Sequence, residues 1–324
     1  MRARPALFDE LGTALLADCP PENPYLIGVS GGRDSIALLH WLHSLGFHQL
    51  IVCHFDHQLR PESPEDNLFV IEHAATLGLE CLSTREDIRI RARQTQQSLE
   101  TAGRAARYDF FAHVGAQRDC HTLFLAHHAD DQVETVLFNL LRGAGPAGLA
   151  AMPALSRRLI AGLELTLRRP WLGVWRSEID QYITSNHLNY REDASNSELH
   201  PSRNRLRHKV LPQLEQLMGR DVRRAIWRTA ELLRADEDFL QSQVPPITPE
   251  LSVPSLQALP ESIQRRTLHS WLKTEGVPQV TFDTVERTRA LLHTTQAKAN
   301  LPGAMHVRRR AKKIFIEKPG SPPK

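Results

Sequence analysis

Residues 25–42 read YLIGVSGGRDSIALLHWL, and this stretch decides the fold. Its apolar beginning, Tyr25–Val29, is typical of a buried strand, and its apolar end, Ile36–Leu42, is typical of a helix. Two adjacent glycines lie between them, which predicts a tight turn that leads into a helix start. The free N–H groups of a first helical turn, at the positive end of the helix dipole, bind phosphate. The stretch therefore predicts a phosphate-binding loop.

The polar residues of this loop suit a phosphate ligand. Ser30 and Ser35 supply hydroxyl donors, while Gly31 and Gly32 let the backbone approach the ligand closely. A carboxylate such as that of Asp34 suits a phosphate site when a cation, for example Mg²⁺, lies between the two groups. The alternative is an ordinary strand–helix turn in which Asp34 and Ser35 cap the helix. The lysine that ends a Walker A loop is missing.

Strand and helix patterns alternate over the first two-thirds of the chain. The predicted strands are Tyr25–Val29, Leu50–Phe55, Leu79–Thr84 and Thr122–Ala126. The predicted helices are Ser35–Leu45, Asn67–Leu77, Leu99–Val114 and Asp131–Leu141. This alternation predicts an α/β fold, a parallel sheet wrapped by helices, with the ligand site at the carboxyl ends of the strands.

The last third predicts a smaller, mainly helical domain. We expect one long helix over Leu214–Gln243 and a break at Pro245–Pro249. Two helices follow, at Glu261–Thr274 and Phe282–His293. A hairpin through Ala304–Arg309 and Lys313–Glu317 comes next, and Pro319–Lys324 is predicted to be a disordered tail. The predicted divisions are a catalytic domain over residues 1–213, a second domain over 214–318 and the tail 319–324.

Composition narrows the class of protein. The 324 residues carry 40 Lys and Arg against 37 Asp and Glu, so the net charge alone predicts no nucleic-acid partner. Basic residues cluster at Arg85–Arg107, Arg203–Lys209 and Arg308–Lys313, which indicates either RNA contacts or solvated helix faces. The four cysteines form no Cys-x-x-Cys pair, which argues against a zinc ribbon, an iron–sulfur cluster or a dithiol site. Without a signal peptide or a membrane-length apolar run, we expect a cytoplasmic protein.

A second polar stretch, HHADDQVET at residues 127–135, follows the fourth predicted strand. On a helix that begins near Asp130, the side chains of Asp131 and Glu134 share one face. Helix capping by Asp130 or Asp131 is the alternative interpretation. Capping does not explain two histidines and three carboxylates at one strand end, so we favour a functional site.

Glycine-rich and arginine-rich stretches come next. RGAGPAGLAAM, residues 142–152, predicts either a flexible connection or a mobile loop that lines a nucleotide or RNA site, with Arg142 as its charged contact. RNRLR, residues 203–207, predicts either a solvated surface or a clamp for phosphate or carboxylate groups. Its arginines would line one edge of an extended segment or span about half a helical turn.

The order and spacing of these motifs carry a resemblance to a known family. SGGRDS alone resembles the pyrophosphate-binding loop of N-type ATP pyrophosphatases, the PP-loop superfamily. With HHADDQVET, RGAGPAGLAAM, RRPWL, DASN and RNRLR in this order, residues 20–215 resemble the tRNA(Ile)-lysidine synthetases. HFDHQLRPES (54–63) and SLETAGRAARYDFF (98–111) resemble stretches of the same family. Beyond residue 215 the resemblance is loose, chiefly through residues 301–303.

This resemblance implies a fold and a reaction. The implied fold is an adenine nucleotide alpha-hydrolase-like, Rossmann-like domain, followed in the chain by a smaller, mainly helical tRNA-binding domain. The reaction is that of a C–N ligase in which ATP adenylates C2 of the wobble cytidine in the CAU anticodon of tRNA(Ile) and pyrophosphate leaves. Free L-lysine then displaces AMP to form lysidine, which changes the codon read from AUG to AUA. ATP and Mg²⁺ are the implied cofactors.

Candidate residues follow from the motifs and from the resemblance. The expected ATP-binding residues are Ser30, Gly31, Gly32, Arg33, Asp34, Ser35, His127 and His128. The expected catalytic residues are Asp34, Asp130, Asp131 and Arg205, with Asp34 as the magnesium ligand. The expected contacts to lysine or tRNA are Glu134, Arg142, Arg203 and Arg207. The family pattern leaves the position of Arg33 free.

Three other classes stay open on the sequence. A tRNA thiolase of the same superfamily normally needs a catalytic cysteine pair or a cluster held by Cys-x-x-Cys, and the four cysteines form no such pair. An ammonia-dependent ATP pyrophosphatase acts on small molecules and does not explain the arginine clusters. A non-catalytic RNA-binding protein would be expected to have lost Asp34 or the Asp130–Asp131 pair. A monomer and a homodimer are equally consistent with the sequence.

Overall fold

The computed structural model describes residues 5–59, 63–191, 201–294 and 296–319. The chain divides into two compact units, of which the first ends at Leu232 and the second begins at Leu233. The predicted boundary between residues 213 and 214 stays a prediction. The DASN motif at 193–196 and most of the predicted tail, residues 320–324, lie outside the described residues.

A six-stranded sheet forms the centre of the first unit. Its strands are β1 (Tyr25–Gly28), β2 (Leu50–Asp56), β3 (Glu80–Arg85), β4 (Thr122–Phe124), β5 (Leu155–Ile160) and β6 (Leu163–Arg168). Their order across the sheet is β3-β2-β1-β4-β6-β5. Every neighbouring pair is parallel except β5 and β6, which form an antiparallel hairpin at one edge. The predicted α/β fold with a parallel sheet is confirmed, and the antiparallel edge hairpin was not predicted.

Helices cover both faces of this sheet because its central strands are apolar on both sides. The helices between residues 5 and 242 are α1 (Pro5–Asp18), α2 (Arg33–Ser44), α3 (Ser63–Thr76), α4 (Ile88–Thr95), α5 (Leu99–Arg118), α6 (Ala129–Leu141), α7 (Pro146–Leu149), α8 (Arg176–Ser185), α9 (Pro201–Arg205), a π-helical segment (Leu206–Val210), α10 (Leu211–Met218) and α11 (Val222–Ser242). Ile27 of β1 packs on one side with Trp41 and Trp171, whereas Leu26 packs on the other with Phe111. Because β1 and β4 are neighbouring parallel strands, their carboxyl ends lie side by side at one edge of the sheet.

The prediction of one long helix over Leu214–Gln243 was wrong. The structure has two helices there, because Gly219 adopts a left-handed conformation (φ +60°) and ends α10. The N–H of Gly219 donates to the carbonyl oxygen of Glu215 at 3.0 Å. The carboxylate of Asp221 then accepts the N–H of Arg224 at 2.9 Å, which caps the start of α11.

The second unit combines helices with a small antiparallel sheet. Its elements after α11 are β7 (Glu250–Ser252), α12 (Val253–Gln257), α13 (Glu261–Thr274), α14 (Phe282–His293), β8 (Lys298–Asn300), β9 (His306–Arg310) and β10 (Lys313–Glu317). The strand order is β7-β10-β9-β8. The two predicted helices and the hairpin are confirmed, while β7 and β8 were not predicted. In the part of the chain that the structure describes, no helix combines the length and the apolar character needed to span a membrane.

Candidate active site

The loop between β1 and α2 is held in a fixed shape by its own serines. The hydroxyl of Ser35 donates to the carbonyl oxygen of Gly32 at 2.8 Å and accepts the N–H of Ser30 at 3.2 Å. Gly31 has a φ of +87°, and a Cβ there would lie 3.2 Å from Val70, so glycine is required at this turn. Among the described residues, no side chain caps the first turn of α2. Its N–H groups therefore face a cleft in which they can bind an anion.

That cleft, the large cleft, has a volume of about 610 Å³ and opens at the carboxyl ends of the central strands. The predicted residues that line it are Ser30, Gly32, Arg33, Asp34, Ser35, His127, Asp131 and Arg207. A smaller cavity of about 230 Å³ adjoins it and also has His127, Asp131 and Arg207 in its wall, together with Glu134 and Arg203. The motifs SGGRDS, HHADDQVET and RNRLR, quoted from distant parts of the sequence, thus meet in two adjoining cavities.

A buried histidine connects the loop to the start of α6. His128 is only 2 % exposed, and its Nε2 lies 3.6 Å from Asp34 Oδ2 and 3.7 Å from Asp131 Oδ2. Its Nδ1 lies 3.7 Å from Asp130 Oδ2. Burial by itself lowers the pKa of His128, but the three carboxylates outweigh burial and raise that pKa from 6.5 to about 9. The imidazole is therefore a cation at neutral pH.

The carboxylate of Asp34 is ionised for the same reason. Burial raises its pKa, but the hydrogen bond and charge of His128, together with Arg33, bring the pKa well below the usual range. The side chain of Asp34 stays 30 % exposed toward the large cleft. It is the acidic group of the loop that a cation in the cleft can reach.

Arg207 is held by two of the predicted carboxylates. Its Nε donates to Glu134 Oε1 at 2.5 Å and its Nη2 donates to Asp131 Oδ1 at 3.3 Å. Glu134 is only 4 % exposed, and burial raises its pKa even though Arg207 opposes that effect. Arg203 and Arg207 reach the same cavity because RNRLR is helical, which places residues four apart on one face.

His127 differs in charge from its neighbour His128. It lies in the walls of both cavities, and burial together with Arg169 and Arg107 lowers its pKa well below 6.5, so the ring is neutral. Arg107, on α5, also lies in both walls. Within the described residues, Arg107 Nε is buried and has no hydrogen-bond partner. An anionic ligand is the partner that this guanidinium lacks.

The two adjacent aspartates have different surroundings. Asp131 faces the cavities, and it accepts the backbone N–H of His128 at 3.0 Å, so His128 is the N-cap of α6. Asp130 is buried and lines neither cavity. Its carboxylate accepts the N–H of Arg176 at 3.0 Å and Nη1 of Arg223 at 3.2 Å. Asp130 therefore joins α6 to the starts of α8 and α11.

Sequence analysis did not assign the residues that support the loop. The N–H of Arg191 donates to the carbonyl oxygen of Gly31 at 3.0 Å, and its guanidinium binds Asp66 at 3.0 Å and Glu65 at 2.7 Å. Arg176 lies in the wall of the large cleft. Arg107 belongs to the quoted stretch SLETAGRAARYDFF and to the basic cluster Arg85–Arg107, and neither signal gave it a role in the site. These contacts join residues far apart in the chain, which local patterns do not reveal.

Three predicted site residues lie away from the centre of the cavities or are already paired. Arg33 Nη1 binds Asp180 at 2.8 Å, and its Nε binds Asp34 at 3.2 Å. Arg142 is exposed, with its guanidinium 5.1 Å from the Phe138 ring, and it lines neither cavity. Arg205 is exposed and also lines neither cavity. The roles of Arg142 and Arg205 stay predictions.

The basic cluster of the second unit is largely paired within that unit. Arg308 binds Glu317 at 2.9 Å, and Lys313 binds Glu250 at 3.0 Å. Arg309 donates to the carbonyl oxygens of Leu291 and Thr294. These pairs leave less free positive charge on the β9–β10 hairpin than the sequence indicates.

Two family models match the chain, one within each of its two compact units. A PP-loop domain matches residues 9–214, more than half of the chain, and a TilS substrate binding domain matches residues 251–315. Among solved structures, the U34-tRNA thiolase NcsA from Methanococcus maripaludis has a similar fold, with a TM-score of 0.56. It is 17 % identical, and the match covers 71 % of this chain and 81 % of that one. This likeness supports the fold alone.

Curated relatives of similar sequence belong to one family. The tRNA(Ile)-lysidine synthase of Geobacter sulfurreducens is 42 % identical over 227 residues, which are 69 % of this chain and 47 % of the relative. That of Bacillus subtilis is 37 % identical over 255 residues, 74 % of this chain and 53 % of the relative. The chain thus spans about half the length of these two relatives. That of Thermosynechococcus vestitus is 32 % identical over 312 residues, 92 % of this chain and 87 % of the relative. The chain belongs to the tRNA(Ile)-lysidine synthase family.

Proposed function

We propose that this chain is an ATP-dependent tRNA(Ile)-lysidine synthase. It adenylates C2 of the wobble cytidine in the CAU anticodon of tRNA(Ile), and then joins free L-lysine to that carbon. One observation carries the proposal: His128, Asp131 and Arg207 connect the phosphate loop to a second cavity beside it. This arrangement suits a two-step reaction, because the C2 oxygen that receives AMP and the C2 carbon that lysine attacks are adjacent atoms of one base, so ATP and lysine must bind side by side.

The large cleft is the proposed ATP site. The N–H groups at the start of α2 and the hydroxyls of Ser30 and Ser35 bind the β- and γ-phosphates. Mg²⁺ usually takes one or two carboxylates together with phosphate oxygens and water, which fits the carboxylate of Asp34, whose side chain is 30 % exposed. When bound, Mg²⁺ neutralises phosphate charge as the α–β bond breaks.

In the first step, the C2 oxygen of cytidine attacks the α-phosphorus of ATP and pyrophosphate leaves. The base must be turned out of the anticodon loop to reach the cleft. The wall of the cleft contains the guanidinium of Arg176 and the N–H groups at the start of α2, which offset the charge that develops on pyrophosphate. The neutral His127 contributes a hydrogen bond without adding a charge.

In the second step, the ε-amine of lysine attacks C2, the C2–O bond breaks, and AMP leaves. The smaller cavity is the proposed lysine site. Arg107 supplies a cation for the α-carboxylate, while Glu134 and Asp131 supply negative charge for an amino group. The ε-ammonium must lose its proton before attack. Burial raises the pKa of Glu134, which makes it a better proton acceptor than an exposed glutamate.

The domain assignment is part of the same proposal. Residues 1–213 form the catalytic domain, and residues 214–318 bind tRNA. The match of residues 251–315 to a substrate binding domain supports the second assignment. The paired state of Arg308 and Lys313 argues that the β9–β10 hairpin does not contribute its full charge to RNA.

The cysteines argue against thiolase chemistry. Cys19, Cys53 and Cys120 are buried, Cys81 is half-buried, and all four are free thiols. Burial raises the pKa of each of them, for Cys81 to about 11, so none is a ready thiolate at neutral pH. Sulfur transfer lacks both a cluster site and an activated thiol among the described residues.

An incorporation assay tests the proposal. The protein is incubated with ATP, radiolabelled lysine and transcripts of the isoleucine type or the methionine type, both with a CAU anticodon. We expect label in the isoleucine-type transcript alone. Label in neither transcript, or incorporation that requires ammonia or a sulfur donor, would overturn the proposal.

A further inference from the structure

A groove on the outside of the first unit is not part of either cavity. It lies between α5 and the edge strand β5 and has a volume of about 600 Å³. The helix contributes Thr101, Arg104, Ala105, Tyr108 and Asp109, and the hairpin contributes Arg158, Leu159, Ile160 and Ala161. We call it the α5–β5 groove. It adjoins the smaller cavity, because Arg104 lies in the walls of both.

Two arginines in this groove are held in place by one tyrosine. The guanidinium of Arg104 lies 5.1 Å from the centre of the Tyr108 ring, and that of Arg158 lies 5.5 Å from it. Tyr108 is buried, so the ring is a fixed support for both cations. A cation that is already oriented loses less conformational freedom when it binds an anion.

These two guanidiniums carry unneutralised charge. Among the residues that the structure describes, neither has a hydrogen bond or an ion pair with another residue. The carboxylate in the groove, Asp109, is bound by Arg91 on α4. Arg169 is also near, and repulsion from Arg158 and Arg104 adds to the effect of burial in lowering its pKa. The groove therefore concentrates positive charge that an anionic ligand would offset.

We propose that the α5–β5 groove binds the phosphodiester backbone of the RNA strand whose base enters the site. This inference rests on the proposed function. An RNA strand carries a negative charge on every nucleotide, so nucleotides next to the bound base bring phosphates to the rim of the site. Arg104 marks the point where the groove meets that rim.

Arg158→Gln tests the groove without altering the cavities, since Arg158 is exposed and lines neither of them. Arg157→Gln is the matched control. Arg157 precedes Arg158 on β5, so its side chain points to the opposite face of the strand, where it is 71 % exposed and lies 4.0 Å from Glu164. Both variants remove one positive charge from the same strand. A difference in RNA affinity between them therefore depends on where the arginine lies and not on the net charge of the protein.

Binding is measured against salt concentration, with the isoleucine-type transcript and with its isolated anticodon stem–loop. We expect Arg158→Gln to weaken both complexes by roughly fivefold, and to reduce the slope of log K against log salt by about 0.7 to 0.9, the value for one phosphate. Arg157→Gln should change neither quantity.

Equal effects of the two variants, or a loss with the full transcript but not with the stem–loop, would overturn the inference. Failure of the proposed function gives a different result from failure of this inference. In that case the wild-type protein itself would show no preference for the isoleucine-type transcript in the incorporation assay. Binding of a fluorescent ATP analogue should be the same in wild type and in both variants, which separates lost RNA contact from a damaged site.

Discussion

The buried imidazolium of His128 makes the stability of the first unit depend on pH. His128 is only 2 % exposed, and three carboxylates raise its pKa from 6.5 to about 9. A shift of this size corresponds to about 3 kcal/mol of stability, at 1.36 kcal/mol for each pKa unit. We expect His128→Asn to remove the pH-dependent part of this stabilisation, because asparagine has a similar shape and no charge.

The direction of the effect follows from the direction of the shift. Since the pKa in the folded protein exceeds that of the unfolded chain, the folded state holds the proton more tightly. The stabilisation is fully present below pH 6.5 and is lost as the pH rises through 9. In urea unfolding, the difference between wild type and His128→Asn should therefore be larger at about pH 6 than at about pH 9.5, by about 3 kcal/mol.

A matched control separates this effect from the general titration of the protein. His121 is exposed and lies 3.3 Å from Asp119, so His121→Asn removes a histidine beside a carboxylate without a buried charge. We expect the difference between wild type and His121→Asn to be small at both pH values. If the His128→Asn difference were the same at both pH values, His128 would not be a buried cation, and the electrostatic account of the site would be refuted.

Three further changes test individual parts of the site. Asp34→Asn should abolish pyrophosphate release while tRNA affinity stays within about twofold of wild type, whereas equal loss of both would give Asp34 a structural role. Arg107→Gln should lower kcat/KM for lysine about tenfold or more but leave that for 1,5-diaminopentane, which lacks the carboxylate, unchanged; a rise in the KM of ATP alone would place Arg107 on a phosphate instead. Gly31→Ala should weaken ATP binding because alanine is strained at a φ of +87° and its Cβ would meet Val70, and unchanged ATP titration curves would show that the loop tolerates another shape.

Local sequence patterns predicted the part of the fold that holds the phosphate loop. The apolar run before Ser30 and the apolar helix after Ser35 have clear periods, and both elements lie where these patterns placed them. The β5–β6 hairpin was not predicted, because Leu155 and Leu159 are exposed and give no core pattern. The single helix predicted after Leu214 failed at Gly219, whose left-handed conformation outweighs the helical pattern on either side.

The candidate site was predictable in composition but not in arrangement. The sequence predicted the same catalytic role for Asp130 and Asp131. Their tertiary contacts distinguish them, because Asp130 is buried and binds Arg176 and Arg223, whereas Asp131 faces the cavities. The difference in charge between His127 and His128 depends in the same way on residues far along the chain. Such contacts leave no trace in local spacing.

The stoichiometry of a single reaction tests the central claim most directly. Purified protein is incubated with the isoleucine-type CAU transcript, lysine and ATP, and the AMP, pyrophosphate and transcript-bound lysine are counted together. The two-step mechanism predicts equal amounts of all three, and no AMP when the transcript is left out. AMP and pyrophosphate formed in equal amounts with no lysine on the transcript, or AMP formed without any transcript, would contradict it.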